Sequence, residues 1–306
     1  MERQLRSDLH SAREDEVIVN AGSPRHLIDV VVFASPLVRV GRWRCPADHP
    51  HFLDSGPSSD ALFAFPREGV WIEHEGRAPF VADANTVTYY NKGQCYRRRK
   101  LSARGDQCEW FAVASEAIAE SLSAHEPAAI DRTQAPFPFT RGPSDPDSYL
   151  RQRMVFHHVS REANPDRLFV EEAVLSILGQ VTHLAYRHGG TPSTPRVGQQ
   201  RDVDRVEAAR DVIARRFRDN LSLSDIAREV ESSVFHLARV FKARTGFSLH
   251  TYRNQLRLRA ALERLHDRDV DLIDIALDLG FSSHSHFTET FRRHFGGTPS
   301  VIRETL

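Results

Sequence analysis

His49 and His51 are the residues whose type and spacing point most directly to catalysis. On a strand, two histidines one residue apart project to the same face and could share a metal ion. Pro50 between them argues for a loop, and Phe52-Leu-Asp-Ser-Gly56 supplies no Glu to extend the set. The expectation is no metal, no cofactor and no catalytic residue. Arg97-Arg-Arg-Lys100 is a charge run that reads as a solvated loop or strand end. Trp43, Trp71, His74, Tyr90 and Trp110 could line a pocket for a small molecule, or could simply fill a core. Cys45, Cys95 and Cys108 are odd in number and lack paired spacing, which suits a reducing cytoplasm better than a disulfide scaffold.

The elements that must hold these residues fall into three parts. At 306 residues the chain allows about two domains. With 41 Lys plus Arg against 41 Asp plus Glu, net charge gives no global argument for nucleic acid. No apolar run approaches the roughly 18 residues of a membrane span. Met1 to Val17 is charged and lacks the apolar core of a signal peptide. Over residues 1–125, Val30–Phe33, Ala61–Phe65, Val70–His74, Pro79–Ala82, Thr86–Tyr90 and Glu109–Val113 read as short strands between turn residues. That pattern suggests an all-β sandwich or barrel.

Residues 126–200 change character. Pro127 to Pro146 reads as a linker or an extended crossing, followed by helices over 145–162 and 166–187. Leu168, Ala173, Val174, Ile177, Leu178, Val181, Leu184 and Ala185 give the second helix one apolar stripe, which could bury within its own domain or against a partner subunit. His188 to Gly198, rich in Gly and Pro, reads as a flexible linker and domain boundary.

Residues 201–306 contain one unit twice. After an opening helix over 204–218, the stretch from Ser222 to Gly246 repeats from Asp271 to Gly296. Ser222 aligns with Asp271, Leu223 with Leu272 and Ile226-Ala227 with Ile275-Ala276. One extra residue enters the second turn, after which Ser233 meets Ser283, Leu237 meets Phe287 and Phe241 meets Phe291. Ser222 with Asp225 resembles a capping box, and Asp271 with Asp274 takes the same places. Gly280 can supply a positive φ at the second turn. Each copy reads as helix, turn and second helix, a helix-turn-helix whose second helix can enter the DNA major groove. A helix over 249–265 connects the copies and would fix their separation, roughly 34 Å for two readers on one DNA face.

The run Asp274-Ile-Ala-Leu-Asp-Leu-Gly-Phe-Ser-Ser-His-Ser-His-Phe-Thr-Glu-Thr-Phe-Arg-Arg-His-Phe-Gly-Gly-Thr-Pro299 resembles the signature of AraC/XylS-type transcription regulators. Phe65-Pro-Arg-x-Gly-Val70 and Tyr90-Asn-x-Gly93 look like the cupin-type effector domain of that family. The resemblance implies a two-domain chain. A cupin-like barrel (1–125) is followed by a helical linker or dimerisation region (126–200). An all-α domain with two helix-turn-helix motifs and a connector helix (201–306) completes it. It implies that Phe235, His236, Ala238 and Arg239 face the groove in copy one, and His284, Ser285, Thr288 and Glu289 in copy two. Arg239 is the best candidate for base reading, since a guanidinium can bond guanine O6 and N7 together. Glu289 departs from the Arg or Lys common at its place. Lys242, Arg292 and Arg293 are candidate phosphate contacts.

The expected function is sequence-specific DNA-binding transcription regulation, controlled by a small molecule in the barrel. Expected partners are double-stranded DNA, a small-molecule effector, a second copy of the chain and, by resemblance, RNA polymerase. No membrane and no enzyme activity are expected, and the compartment is the cytoplasm. Residues 201–306 carry 18 Lys plus Arg against 16 Asp plus Glu, a weak excess for a DNA binder, so dimerisation would supply the remaining affinity. The alternatives are a ligand-independent dimeric regulator and a cupin enzyme fused to a DNA-binding tail. The second needs a metal triad that the sequence does not show.

Overall fold

In the computed structural model, residues 29–188 and 197–306 are described. The charged stretch Met1 to Val17 and residues 189–196 of the expected linker lie outside the described residues. Nine strands come first: β1 (Asp29–Ala34), β2 (Val38–Cys45), β3 (Leu62–Pro66), β4 (Val70–His74), β5 (Phe80–Ala82), β6 (Thr86–Tyr90), β7 (Tyr96–Lys100), β8 (Asp106–Val113) and, after a helix, β9 (Arg141–Pro143). All pairings are antiparallel. They form a six-stranded sheet in the order β1-β2-β8-β3-β6-β9 and a three-stranded sheet in the order β5-β4-β7.

Period-two alternation sets the two faces of the large sheet. Along β3, Phe63 and Phe65 point one way and Leu62 and Ala64 the other; along β8, Phe111 and Val113 oppose Trp110 and Ala112. The second face packs on the small sheet around Phe52, Val70, Ile72, Phe80 and Tyr90. The first is covered by helices. The expected closed barrel is not formed among the described residues. Instead β1 and β9 stay edges of the large sheet, β5 and β7 edges of the small one, and a single isolated bridge, Asp54 to Arg97, lies outside the strands. β9 is three residues long and ends in Pro143, which cannot donate to a further ladder.

The covering helices are α1 (Ser115–Ser123), α2 (Pro146–Arg161) and α3 (Arg167–Arg187), with a 3-10 turn at Pro127–Asp131. Asp145 caps α2 through Asp147 and Ser148 N–H, and Asp166 caps α3 through Phe169 N–H. By length and composition alone α3 could cross a membrane. In the fold its stripe (Val170, Val174, Ile177, Leu178, Val181) packs on the sheet side, and Tyr89 Oη donates to Val181 O at 3.0 Å. Seven helices complete the chain: α4 (Val197–Arg216), α5 (Leu223–Glu229), α6 (Val234–Thr245), α7 (Leu249–Arg264), α8 (Leu272–Asp278), α9 (His284–Phe295) and α10 (Pro299–Thr305). α4 begins at Val197, seven residues before the expected Asp204.

One cluster of buried apolar side chains runs without a break from Phe63 and Phe111 in the sheet, through Val174 and Ile177 in α3, to Ile213, Phe241 and Phe291. Around it the sheet and the later helices meet along a polar seam. Trp71 Nε1 donates to Asp211 Oδ1 of α4 at 2.7 Å. Glu207 of α4 accepts from Val81 N–H at 2.9 Å and from Arg141 Nη1 at 2.7 Å. Burial pushes the Glu207 carboxyl up, but Arg141 and Arg210 outweigh it and hold the group below the usual carboxylate range. Arg210 donates to Thr86 Oγ1 at 2.6 Å and to Tyr252 Oη at 2.8 Å.

Candidate nucleic-acid interface

The two helix-turn-helix units share their second-helix caps and turn hydrogen bond, but the capping box expected at both starts forms in the first copy, whereas Asp271 in the second accepts from the N–H two residues on instead of three. In the first, Ser222 Oγ accepts from Asp225 N–H at 3.1 Å while Asp225 accepts from Ser222 N–H at 3.2 Å, a reciprocal capping box. In the second, Asp271 takes the cap through Ile273 N–H at 2.9 Å. The second helices, α6 and α9, are capped by Ser233 and Ser283, each accepting at 3.2 Å from the N–H three residues on, His236 and His286. The turns keep one shared hydrogen bond, Ser232 N–H to Ala227 O at 2.9 Å and Phe281 N–H to Ala276 O at 3.0 Å. Leu237, Phe241, Phe287 and Phe291 are each fully buried and anchor α6 and α9.

The turns differ in strain. Gly280 sits at φ 80° in the second copy, and Glu231 carries φ 50° in the first, the one non-glycine at positive φ among the described residues. A side chain at Gly280 would meet Arg218 O at 2.4 Å and Arg257 Nη2 at 2.6 Å. Arg257, from α7, binds the carbonyls of Phe217, Asp219 and Gly280 at 2.6–2.9 Å and so ties the end of α4 to this turn.

The structure brings the expected contact residues to the outer side of α6 and α9. Phe235 is 90% exposed. Arg239, Lys242, His284, Ser285, Glu289, Arg292 and Arg293 are exposed, whereas His236, Ala238 and Thr288 are half-buried. Several are not free. His236 Nε2 lies 2.8 Å from Asp202 Oδ1 on α4, and Arg239 Nη2 lies 3.3 Å from His236 Nδ1. The arginine can only donate, so Nδ1 accepts and the Nε2 proton points at Asp202. Glu289 binds Arg293 at 3.0 Å across one helical turn. Asp202 is a partner that sequence reading missed, because nothing local links it to a residue 34 positions away.

Away from this surface, a cavity of about 210 Å³ lies between the two sheets. Of the five pocket candidates it is lined by Trp43, Tyr90 and Trp110, together with Asp29, Asp60 and Asp106. Burial pushes the Asp29 carboxyl up even though Trp110 Nε1 donates to it at 2.8 Å. Trp71 faces α4 instead, under Arg99 at 4.5 Å. His74 is buried behind the cavity wall, stacked on Tyr90 at 5.0 Å, with Gln94 Nε2 2.6 Å from its Nδ1. Burial, aided by Arg77, pulls its pKa down to about 4. Arg97-Arg-Arg-Lys100 forms β7. Only Arg98 turns inward, to Asp106 at 2.9 Å. His49 and His51 lie in a turn, their rings 5.5 Å apart, with His51 N–H donating to His49 Nδ1 at 3.2 Å.

A helix-turn-helix domain family model matches residues 226–305. The probable transcription factor PqrA of Proteus vulgaris is 38% identical over 86 residues, 28% of this chain and 70% of PqrA. This chain belongs to the AraC/XylS family. Its C-terminal helices are the family's DNA-binding domain, and the chain is a DNA-binding transcription regulator. ExsA of Pseudomonas aeruginosa, a helix-turn-helix-type transcriptional regulator, is 32% identical over 104 residues, 34% of this chain and 36% of ExsA. A solved transcriptional regulator from Chromobacterium violaceum with an AraC-type DNA-binding domain is 33% identical over 36% of this chain and 95% of that one, with a TM-score of 0.32. Apart from PqrA, the first curated relatives are matched over about a third of their length or less.

Proposed function

We propose that this AraC/XylS-type regulator reads DNA with both α6 and α9, each in a major groove. The observation that carries the reading is the paired presentation: two helices anchored by the same buried positions, both with exposed outer residues at their N-terminal ends. Phe235, 90% exposed, is an apolar ring held in water, a placement that suits the methyl group of thymine. Arg239 reads guanine, while His236 and Ala238 shape the same contact. In the second copy His284, Ser285, Thr288 and Glu289 face the groove. Lys242, Arg292 and Arg293 bind phosphates and position the domain without specifying sequence.

The sheet region acts as a cupin-like sensor, and the cavity between the sheets favours control by a small molecule. A ligand there changes DNA binding by preferring one arrangement of sensor and readers over another. The active species is a homodimer in the cytoplasm, and its output passes to RNA polymerase.

The test is selection of bound duplexes from a random pool, followed by footprinting of the selected site with wild type and Arg239→Ala. A bipartite site whose protection weakens in the variant supports the reading. Undiminished, sequence-specific protection by Arg239→Ala removes Arg239 as a reader. The sensor is tested by thermal shift with candidate small molecules. A binder at 100 times its dissociation constant adds about 2.7 kcal/mol.

A further inference from the structure

The connector α7 carries one polar stripe toward the sheet region. Tyr252, Arg259 and Glu263 are spaced seven and four residues apart and so share a helix face. Tyr252 Oη donates to Asp83 Oδ2 at 2.6 Å, and Asn85 Nδ2 donates to Tyr252 O at 3.0 Å. Glu263 is met by Tyr149 Oη and Arg153 Nε, each at 3.0 Å, and by Arg67. Between them Arg259 is wholly buried and donates to Asn85 Oδ1 and, at 2.6 Å, to Ser144 O.

The middle member differs from its neighbours in charge. Glu263 has two guanidinium partners. Arg259 has a neutral amide, a backbone carbonyl and the face of Tyr149 5.0 Å away, and its Nε has no partner among the described residues. Asp83 and Asp145 act on it only at a distance. A buried charge without a counter-ion costs several kcal/mol, so stability alone gives no reason to place a guanidinium there. Both of its hydrogen-bond partners belong to the sheet side. On its other flank α7 packs on α9, and Arg259 adds to the burial that pulls His294 of α9 down to about 3.

We infer that Arg259 is a positioning residue for DNA reading, which sets α9 and the connector against the sensor through Asn85 and Ser144. It touches no DNA. Its fixed, forked geometry locks the connector in one orientation, and the connector in turn sets the distance and angle between α6 and α9. The inference rests on the reading that both helices engage DNA.

The experiment uses the full chain and the duplex selected by wild type, together with duplexes carrying one base pair more or fewer between the two half-words. Wild type is expected to prefer the native spacing by about ten-fold or more. Asn85→Ala, which removes the sensor-side partner of Arg259 together with the bond to Tyr252 O and alters no residue of the DNA-binding helices, is expected to reduce that preference to about three-fold or less. Arg259→Met should do the same without loss of thermal stability, and Arg259→Lys should restore part of the preference. A residue that only supported the fold would lower melting temperature and weaken all three duplexes alike. If Arg259→Met fails to fold, Arg259→Lys and Asn85→Ala decide together: the lysine variant keeps the Asn85–Tyr252 bond, so a weakened preference in both assigns the effect to Arg259. Unchanged spacing preference in folded Asn85→Ala overturns the inference. If wild type itself ignores spacing, the two-reader reading fails and takes the inference with it.

Discussion

The two helix-turn-helix units share their interior and their helix caps and differ over most of the outward side chains between. Ile226 and Ile275, Ala227 and Ala276, Leu237 and Phe287, Phe241 and Phe291 are buried in matching places. Outside that frame the first unit has a strained Glu231 in its turn and a free-standing Phe235, while the second has Gly280 and a Glu289–Arg293 pair. Position 244 is an exposed Arg; its counterpart 294 is a half-buried His. The difference teaches that burial and helix capping, not the outward side chains, define the repeat. Residues that hold helix against helix have few substitutes, whereas outward residues can diverge between copies at little cost to the fold.

The largest test of that equivalence is deletion of the shared anchors. Phe241→Ala and Phe291→Ala should each cost about 3–5 kcal/mol in urea denaturation. A cost confined to one of them would mean the copies are not equivalent in the core. Acid should then separate the copies. His294 has a folded pKa of about 3 against an unfolded value near 6.5, so the unfolded chain binds the extra proton between those limits. The contribution is fully present above about pH 6.5 and is lost as pH falls toward 3. Between pH 7 and pH 5 the loss is about 2 kcal/mol, and His294→Gln should flatten that part of the stability curve.

Binding tests the outer faces. Arg239→Ala should lose about 1–3 kcal/mol of affinity for the selected site and relax the base preference beneath it. Glu289→Ala should do the opposite. Freed from its partner, Arg293 can reach phosphate, so affinity should rise for all sequences and the salt dependence should steepen by about one unit of slope. A loss of sequence preference in Glu289→Ala would instead make Glu289 a reader. The turns give the smallest effect in the first copy and a larger one in the second. Glu231→Gly should stabilise the chain by up to about 1 kcal/mol by relieving positive φ, whereas Gly280→Ala should destabilise it because its Cβ meets Arg218 O.

The double motif was legible because its signals are local. Caps, apolar spacing and Gly280 sit within a few residues of what they control, and the chain writes them twice. Val70–His74 and Thr86–Tyr90 were legible by alternation and four further strands as short segments between turn residues, but β2, broken by Gly41 and three arginines, went unread, and β7 hid as a charge run. Its arginines look alike in sequence, and only the pairing of Arg98 with Asp106 shows which one turns inward. β9 was equally hidden, because three residues ending in proline carry no period. The seam between sheet and helices left no trace at all. Arg210 with Thr86, or Arg259 with Asn85, are polar pairs more than 120 positions apart, with neither periodicity nor motif. Trp43, Tyr90 and Trp110 reached the cavity and Trp71 did not, since aromatic type says nothing about which side of a sheet a strand shows.

The unbroken apolar cluster from Phe63 to Phe291 also bears on how the molecule comes apart. Two halves that share one interior cannot melt independently without exposing apolar surface on both. Heat capacity recorded against temperature should therefore show a single peak, with calorimetric and van't Hoff enthalpies in agreement. A lesion in the sheet, far from α6 and α9, would then be felt in DNA binding as a smaller fraction of folded protein.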